Sequence, residues 1–257
     1  ADLSTTLDEV LTITQVSTST LGTFTIESNQ IRFLPNLNQF GVTTVQYTIS
    51  DRMGITSTAN LRVTVKSIND APNFILEHSS YTILEDASEQ SIQFSINDIE
   101  TEIKSLMLQV SSSDETKIKS ENITLSGIGS VNGVITLNYT PEPDKFGQVN
   151  LVLKLSDGFL VTTQTIQINI ESDNDNPTVS DLTLEFIEDT DELIIYTSDI
   201  LDTANDIEND DISFVEFNTT PLNGTFTKID DNRYRYVPTE NFDGTETLTF
   251  SITDGIG

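Results

Sequence analysis

The stretch "ESDNDNP", residues 171 to 177, sets Asp173, Asn174, Asp175 and Asn176 side by side and closes them with Pro177. Carboxylates, amide carbonyls and backbone carbonyls are all hard oxygen donors, and proline keeps the residue before it extended, so the donors are laid out along a line. A segment of this kind can hold hard divalent cations, or it can be a solvated acidic loop. A depleted copy, "KSINDAP", stands at 66 to 72 and keeps Asn69 and Asp70.

Other chemistry is poorly served. The chain has no cysteine and one histidine, His78, to which no role is assigned. That excludes a disulfide framework, a thiolate metal site and a cysteine nucleophile. No glycine-rich phosphate loop or nucleophile elbow is present. Acids are abundant, but a glycosidase needs two carboxylates made different by their surroundings in a cleft, and nothing separates such a pair from the acidic linker. Catalysis is therefore not expected. Tyr81, Tyr139, Tyr236 and Phe250 lie at alternating positions and read as core, not as a sugar platform.

Lysine and arginine number 12 against 41 aspartates and glutamates, a net charge of −29. Such a chain repels phosphate backbones, so nucleic acid is excluded as a partner. Something must neutralise the excess carboxylate: hydrated monovalent ions in a salty medium, or divalent ions at defined places. No apolar run reaches the roughly 18 residues of a membrane span. No signal peptide opens the chain, so export or anchoring signals, and any membrane contact, are expected in parts outside this segment.

The elements that must position the acids are written as a repeat. "FLPNLNQFGVTTVQYTISDRMG" (33–54), "YTPEPDKFGQVNLVLKLSDGF" (139–159) and "YVPTENFDGTETLTFSITDGIG" (236–257) share one frame. Pro35, Pro141 and Pro238 precede Gly41, Gly147 and Gly244, which precede Asp51, Asp157 and Asp254. "NDIE" at 97–100 recurs at 205–208, with a degenerate "ADLS" at 1–4, and the pair Glu85-Asp86 recurs as Glu188-Asp189. The period is about one hundred residues, the size of one β-sandwich. Val45, Tyr47 and Ile49, then Leu151, Leu153 and Leu155, then Leu248, Phe250 and Ile252 alternate with polar residues, as do Ile166, Ile168 and Ile170. These are half-buried antiparallel strands, and no helical period competes with them. The middle repeat carries an insertion of about ten residues, assigned to the serine- and glycine-rich stretch 111–133. The expected class is all-β, a tandem of Greek-key sandwiches: 1–70, lacking its first strands, 71–175, complete, and 176–257, lacking its last strand.

At these residues the chain resembles the cadherin-like tandem repeats of bacterial surface proteins. "SDGFLVTTQTIQINIESDNDNP" (156–177) carries the cadherin signature, a "DxG" strand end leading through a last strand to a "DxNDN" linker before proline, and "EDT" at 188–190 is similar to the bacterial branch. The resemblance implies immunoglobulin-like sandwiches joined by linkers that bind calcium with acids from both neighbours, two or three ions at a full junction. For the second junction it implies Asp173, Asn174, Asp175 and Asn176 from the linker, Glu85, and Asp144 or Glu142 from the repeat before, and Asp206, Glu208 and Asp254 from the repeat after. For the first junction it implies a smaller set, Asn69, Asp70, Asp98, Glu100 and Asp157, because Ile68 and Ala71 replace Asp173 and Asn176 and the loop "PNLNQF" has no acid. "KSINDAP" should therefore bend more easily. Glu188 and Asp189 would serve a third junction.

The function implied is a calcium-stiffened spacer of a large extracellular or cell-surface adhesin, whose partners are its neighbouring repeats. Two alternatives stand beside it: a recognition sandwich that binds a carbohydrate or protein, with 111–133 as the place to look, and a filament subunit completed by strands or homophilic contacts from other copies.

Overall fold

Alternating apolar residues fold as strands whose buried faces meet in pairs of sheets. The computed structural model describes residues 10–185, 192–218 and 223–256. The first group of strands is β1 (Thr12–Val16), β2 (Gly22–Glu27), β3 (Gln30–Pro35), β4 (Gly41–Ser50) and β5 (Thr56–Val65), arranged as the sheet β1-β4-β5 and the hairpin β2-β3. The second is β6 (Asn73–Ile75), β7 (Ser80–Leu84), β8 (Gln90–Asn97), β9 (Met107–Ser112), β10 (Ile123–Ser126), β11 (Val134–Tyr139), β12 (Gly147–Ser156) and β13 (Val161–Glu171). Its two sheets run β10-β11-β8-β6 and β7-β13-β12-β9. The third is β14 (Leu193–Tyr196), β15 (Ser213–Asn218), β16 (Gly224–Asp230), β17 (Arg233–Pro238) and β18 (Thr249–Thr253), in the sheets β14-β17-β16 and β15-β18. Each sheet draws its strands from one group. The architecture is all-β, a tandem of immunoglobulin-like sandwiches.

The deepest core lies in the second group, where Ile92, Phe94 and Ile96 of β8 and Ile135, Leu137 and Tyr139 of β11 face Leu151, Leu153 and Leu155 of β12 and Ile166, Ile168 and Ile170 of β13. In the first group Val45 is the one apolar side chain fully buried among the described residues. The ladders accompany the contrast: β11 is flanked by β10 and β8, and β13 by β12 and β7, whereas among the described residues β3 pairs only with β2 and β5 only with β4.

Three features differ from, or sharpen, the expectation of antiparallel strands alone. First, β7 runs parallel to β13, with Ile83 opposite Ile170 and Leu84 opposite Glu171. Parallel strands end at the same pole, so the residue after β7, Glu85, arrives beside the linker that follows β13. Because β12 is antiparallel to β13, with Gly147 opposite Ile170, the loop before Gly147 reaches that pole too. Second, a five-residue helix, α1 (Thr197–Leu201), follows β14 and buries Thr197 and Ile200; it is too short to register as a period. Third, the inserted residues divide between the β9–β10 connection, 113–122, and the β10–β11 connection, 127–133, and the first of these plugs the core with Ile118.

Asn38, Asp144 and Asn241, each three residues after the repeat's proline, all have positive φ, 58°, 55° and 62°. Asparagine and aspartate tolerate this left-handed turn better than other side-chain-bearing residues, so backbone geometry favours these types at the position. Only Asp144 brings a charge.

Candidate metal centre

The second linker is held from both sides. Upstream, the Glu85 N–H donates to the Glu171 carbonyl at 2.9 Å, and Glu85 Oε1 accepts the Asp173 N–H at 3.1 Å. Downstream, the Asp175 N–H donates to Glu208 Oε2 at 3.3 Å, and Asn174 Nδ2 donates to Asp254 Oδ2 at 2.8 Å. Thr178 and Asn205 then exchange two backbone hydrogen bonds of 2.8 Å, pinning the chain beside "NDIE".

Three groups of carboxylates converge there: Glu85 with Asp175 and Glu208, Asp86 with Asp144 and Asp175, and Asp206 with Glu208 and Asp210. Within each group the ligand oxygens lie within 4.8 Å of one another. Oxygens about 2.4 Å from a shared calcium ion are separated by at most about 4.8 Å, so the spacing suits such an ion. Asp175 belongs to two groups and Glu208 to two, which chains the three positions together.

The electrostatics are unbalanced without a cation. Burial, then the Glu208 and Asp86 charges, push the Glu85 carboxyl above its usual range, against hydrogen bonds from Asp173 and Ser172 that pull it down. Asp175 is raised by burial, then by Asp144, Asp86, Glu208 and Asp173. Among the described residues no lysine or arginine forms an ion pair with any acid of the three groups. Glu85 is 2% and Asp206 6% exposed. Glu85 Oε2, Asp175 Oδ2, Asp206 Oδ2 and Glu208 Oε1 are buried with no hydrogen-bond partner. A buried carboxylate oxygen with neither donor nor cation is strongly disfavoured, so these residues fit a hard divalent cation.

Several expected ligands stand differently. Of the pair Asp144 and Glu142, Asp144 joins a group, while Glu142 is held by Lys119 Nζ at 2.7 Å and Asn122 Nδ2 at 2.8 Å. The reason is the inserted 113–122 segment, which carries Lys119 to it. Asp173 contributes its N–H, and its side chain is exposed, as is Asn176. Asp254 lies outside the three groups, its carboxyl lowered by hydrogen bonds from the Ile256 N–H and the Asn174 amide. Two acids in the groups had no ligand role assigned from the sequence, Asp86 and Asp210. Both had a signal: Asp86 adjoins Glu85, and Asp210 continues the every-second-residue acids of "DIEND", 206–210.

The first linker repeats the downstream contacts. Asn69 Nδ2 donates to Asp157 Oδ2 at 2.7 Å, and the Asp70 N–H to Glu100 Oε2 at 3.1 Å. Asp98 Oδ1 accepts from the N–H groups of Glu100 and Thr101, and its Oδ2 is buried without a partner. Hydrogen bonds from the Leu160 N–H and the Asn69 amide lower Asp157. Among the described residues no group of three acids forms here. Glu188 and Asp189 lie outside the described residues.

Compared with known families, residues 2–64 and 69–169 match the bacterial Ig domain. The chain belongs to the bacterial Ig domain family. Residues 173–257 of this bacterial Ig protein match the cadherin-like domain, so the resemblance read from the linker holds where the acids are richest. Both are non-catalytic families, typically extracellular or at the surface. No described helix is long and apolar enough to cross a membrane. No curated protein matches.

Among solved structures, the extracellular domain of protocadherin GammaB4 is 16% identical over 91% of this chain and 38% of its own, with a TM-score of 0.45. Human protocadherin-24 EC1-2 is 19% identical over 65% of this chain and 84% of its own, TM-score 0.39. An endo-fucoidan hydrolase of glycoside hydrolase family 107 is 16% identical over 96% of this chain, TM-score 0.36, and the chain spans 37% of that protein's length.

Proposed function

We propose that this chain is a calcium-stiffened spacer in an extracellular or cell-surface adhesin, built from repeats at 1–70, 71–175 and 176–257. The observation that carries the reading is the set of four buried, unpartnered carboxylate oxygens on Glu85, Asp175, Asp206 and Glu208. Glu85, Asp86 and Asp144 come from the repeat before the linker, Asp175 from the linker, and Asp206, Glu208 and Asp210 from the repeat after. Calcium held by these residues would neutralise their mutual repulsion and couple the two bodies mechanically. The residues themselves orient the linker: Glu85 aligns it from behind through Asp173, and Glu208 and Asp254 from in front. No catalytic step is assigned.

Calcium titration of the whole chain by calorimetry, paired with small-angle scattering, tests this. Binding in the micromolar to millimolar range with a longer particle, both lost in Asp175→Asn, is the expected result. A chain that takes up no calcium, or takes it up without any change in shape, would sink the spacer reading.

A further inference from the structure

The polar groups of Asp144 divide among three neighbours. Its N–H donates to Asp86 Oδ1 at 3.3 Å, its carboxylate stands with those of Asp86 and Asp175, and its carbonyl accepts a hydrogen bond of 2.9 Å from Lys145 Nζ. Among the described residues, Lys145 is the one lysine or arginine whose side chain bonds to a member of the three carboxylate groups. The group it adjoins is the most exposed of the three: Asp86 is exposed, whereas the others each contain a buried acid, Glu85 or Asp206.

The repeat frame ties the lysine to the acid. The left-handed position three residues after each proline holds Asn38, Asp144 and Asn241, and the residues that follow are Gln39, Lys145 and Phe242. The cation stands in the copy that carries the charge. The carbonyl and carboxylate oxygens of one aspartate are at most about 6 Å apart, so the ammonium lies within about 9 Å of the Asp144 ligand oxygens. That is inside the roughly 10 Å over which charges are screened at about 0.1 M salt. Lys145 is exposed and uses one of its three ammonium donors, on a flexible four-carbon stem. Rotation of that stem brings the ammonium toward the Asp86 and Asp144 carboxylates, which repel each other when no cation lies between them.

We propose that Lys145 is a tethered counter-ion for the Asp86–Asp144–Asp175 position: it turns to these carboxylates when the position is empty, is displaced when calcium enters, and so sets the calcium level at which this position fills. The proposal rests on the metal reading above. The two buried groups lie outside its reach and fill without this competition.

Calcium calorimetry of the whole chain, with Asp86→Asn to mark the step that belongs to this position, tests it. At low ionic strength Lys145→Gln should tighten that step about three- to tenfold and leave the others unmoved, and the gain should shrink below about twofold at about 0.5 M salt, because the competing charge is screened. Lys145→Arg, which keeps the charge, should behave as the native chain. In chelator Lys145→Gln should lower the melting temperature, the acids having lost their counter-ion, and in saturating calcium it should not. A native chain that binds calcium, with Lys145→Gln binding it equally well or tightening every step alike, overturns the counter-ion and leaves the metal reading standing. A native chain that binds no calcium overturns both.

Discussion

The Asp173 N–H donates to Glu85 Oε1 at 3.1 Å although the two residues stand 88 positions apart in sequence. The bond exists because β7 is parallel to β13. It makes Glu85 both a positioning group, through Oε1, and a cation ligand candidate, through the unpartnered Oε2. Glu85→Gln keeps an acceptor for Asp173 and removes the charge, whereas Glu85→Ala removes both. Calorimetry should show calcium affinity falling about tenfold or more in each, since affinity follows ligand charge. Scattering in chelator should separate them, with Glu85→Ala the more flexible.

Asp175 gives a prediction whose sign depends on the ion. Its raised carboxyl means the folded chain holds a proton more tightly than the unfolded one, so without metal its contribution to stability is fully present below the ordinary carboxylate range and is lost as pH rises through the raised value. In chelator at pH 7, Asp175→Asn should therefore raise the melting temperature, the gain vanishing near pH 4. In calcium at pH 7 the same substitution should lower it. Thermal scans at both pH values with and without calcium check this; a variant with the same sign in both media would count against the cation.

Asp144 and Glu142 stand two residues apart and should separate cleanly. Asp144→Ala should weaken calcium binding about tenfold. Glu142→Ala breaks the contacts with Lys119 and Asn122 and should leave the affinity within about twofold. Equal losses in the calorimeter would contradict the assignment.

Ile118 is fully buried although it belongs to an inserted segment. Ile118→Ala should destabilise the chain by about 2–5 kcal/mol, the cost of an isoleucine-to-alanine cavity in a packed core. Chemical denaturation measures it, and a change well under 1 kcal/mol would mean that the segment packs only loosely.

The fold class and much of the candidate centre were legible in the residues themselves. Alternation at Leu151 to Leu155 and Ile166 to Ile170 determines half-buried strands because successive side chains point to opposite faces. The recurrent proline, glycine and aspartate determine where turns and acids fall. Among the described residues, all five buried, unpartnered carboxylate oxygens, on Glu85, Asp98, Asp175, Asp206 and Glu208, belong to residues that the repeat had marked. Tertiary structure alone decided the rest, because acids distant in sequence meet only through strand pairing. The parallel register of β7 on β13 brings Glu85 to the linker, and the left-handed turn at Asp144 sets that acid beside Asp86. An inserted loop diverts Glu142 to Lys119. The repeat marks which acids can meet at a linker, but which of them do meet depends on the strands that lie against the last one, a long-range fact that no local spacing encodes.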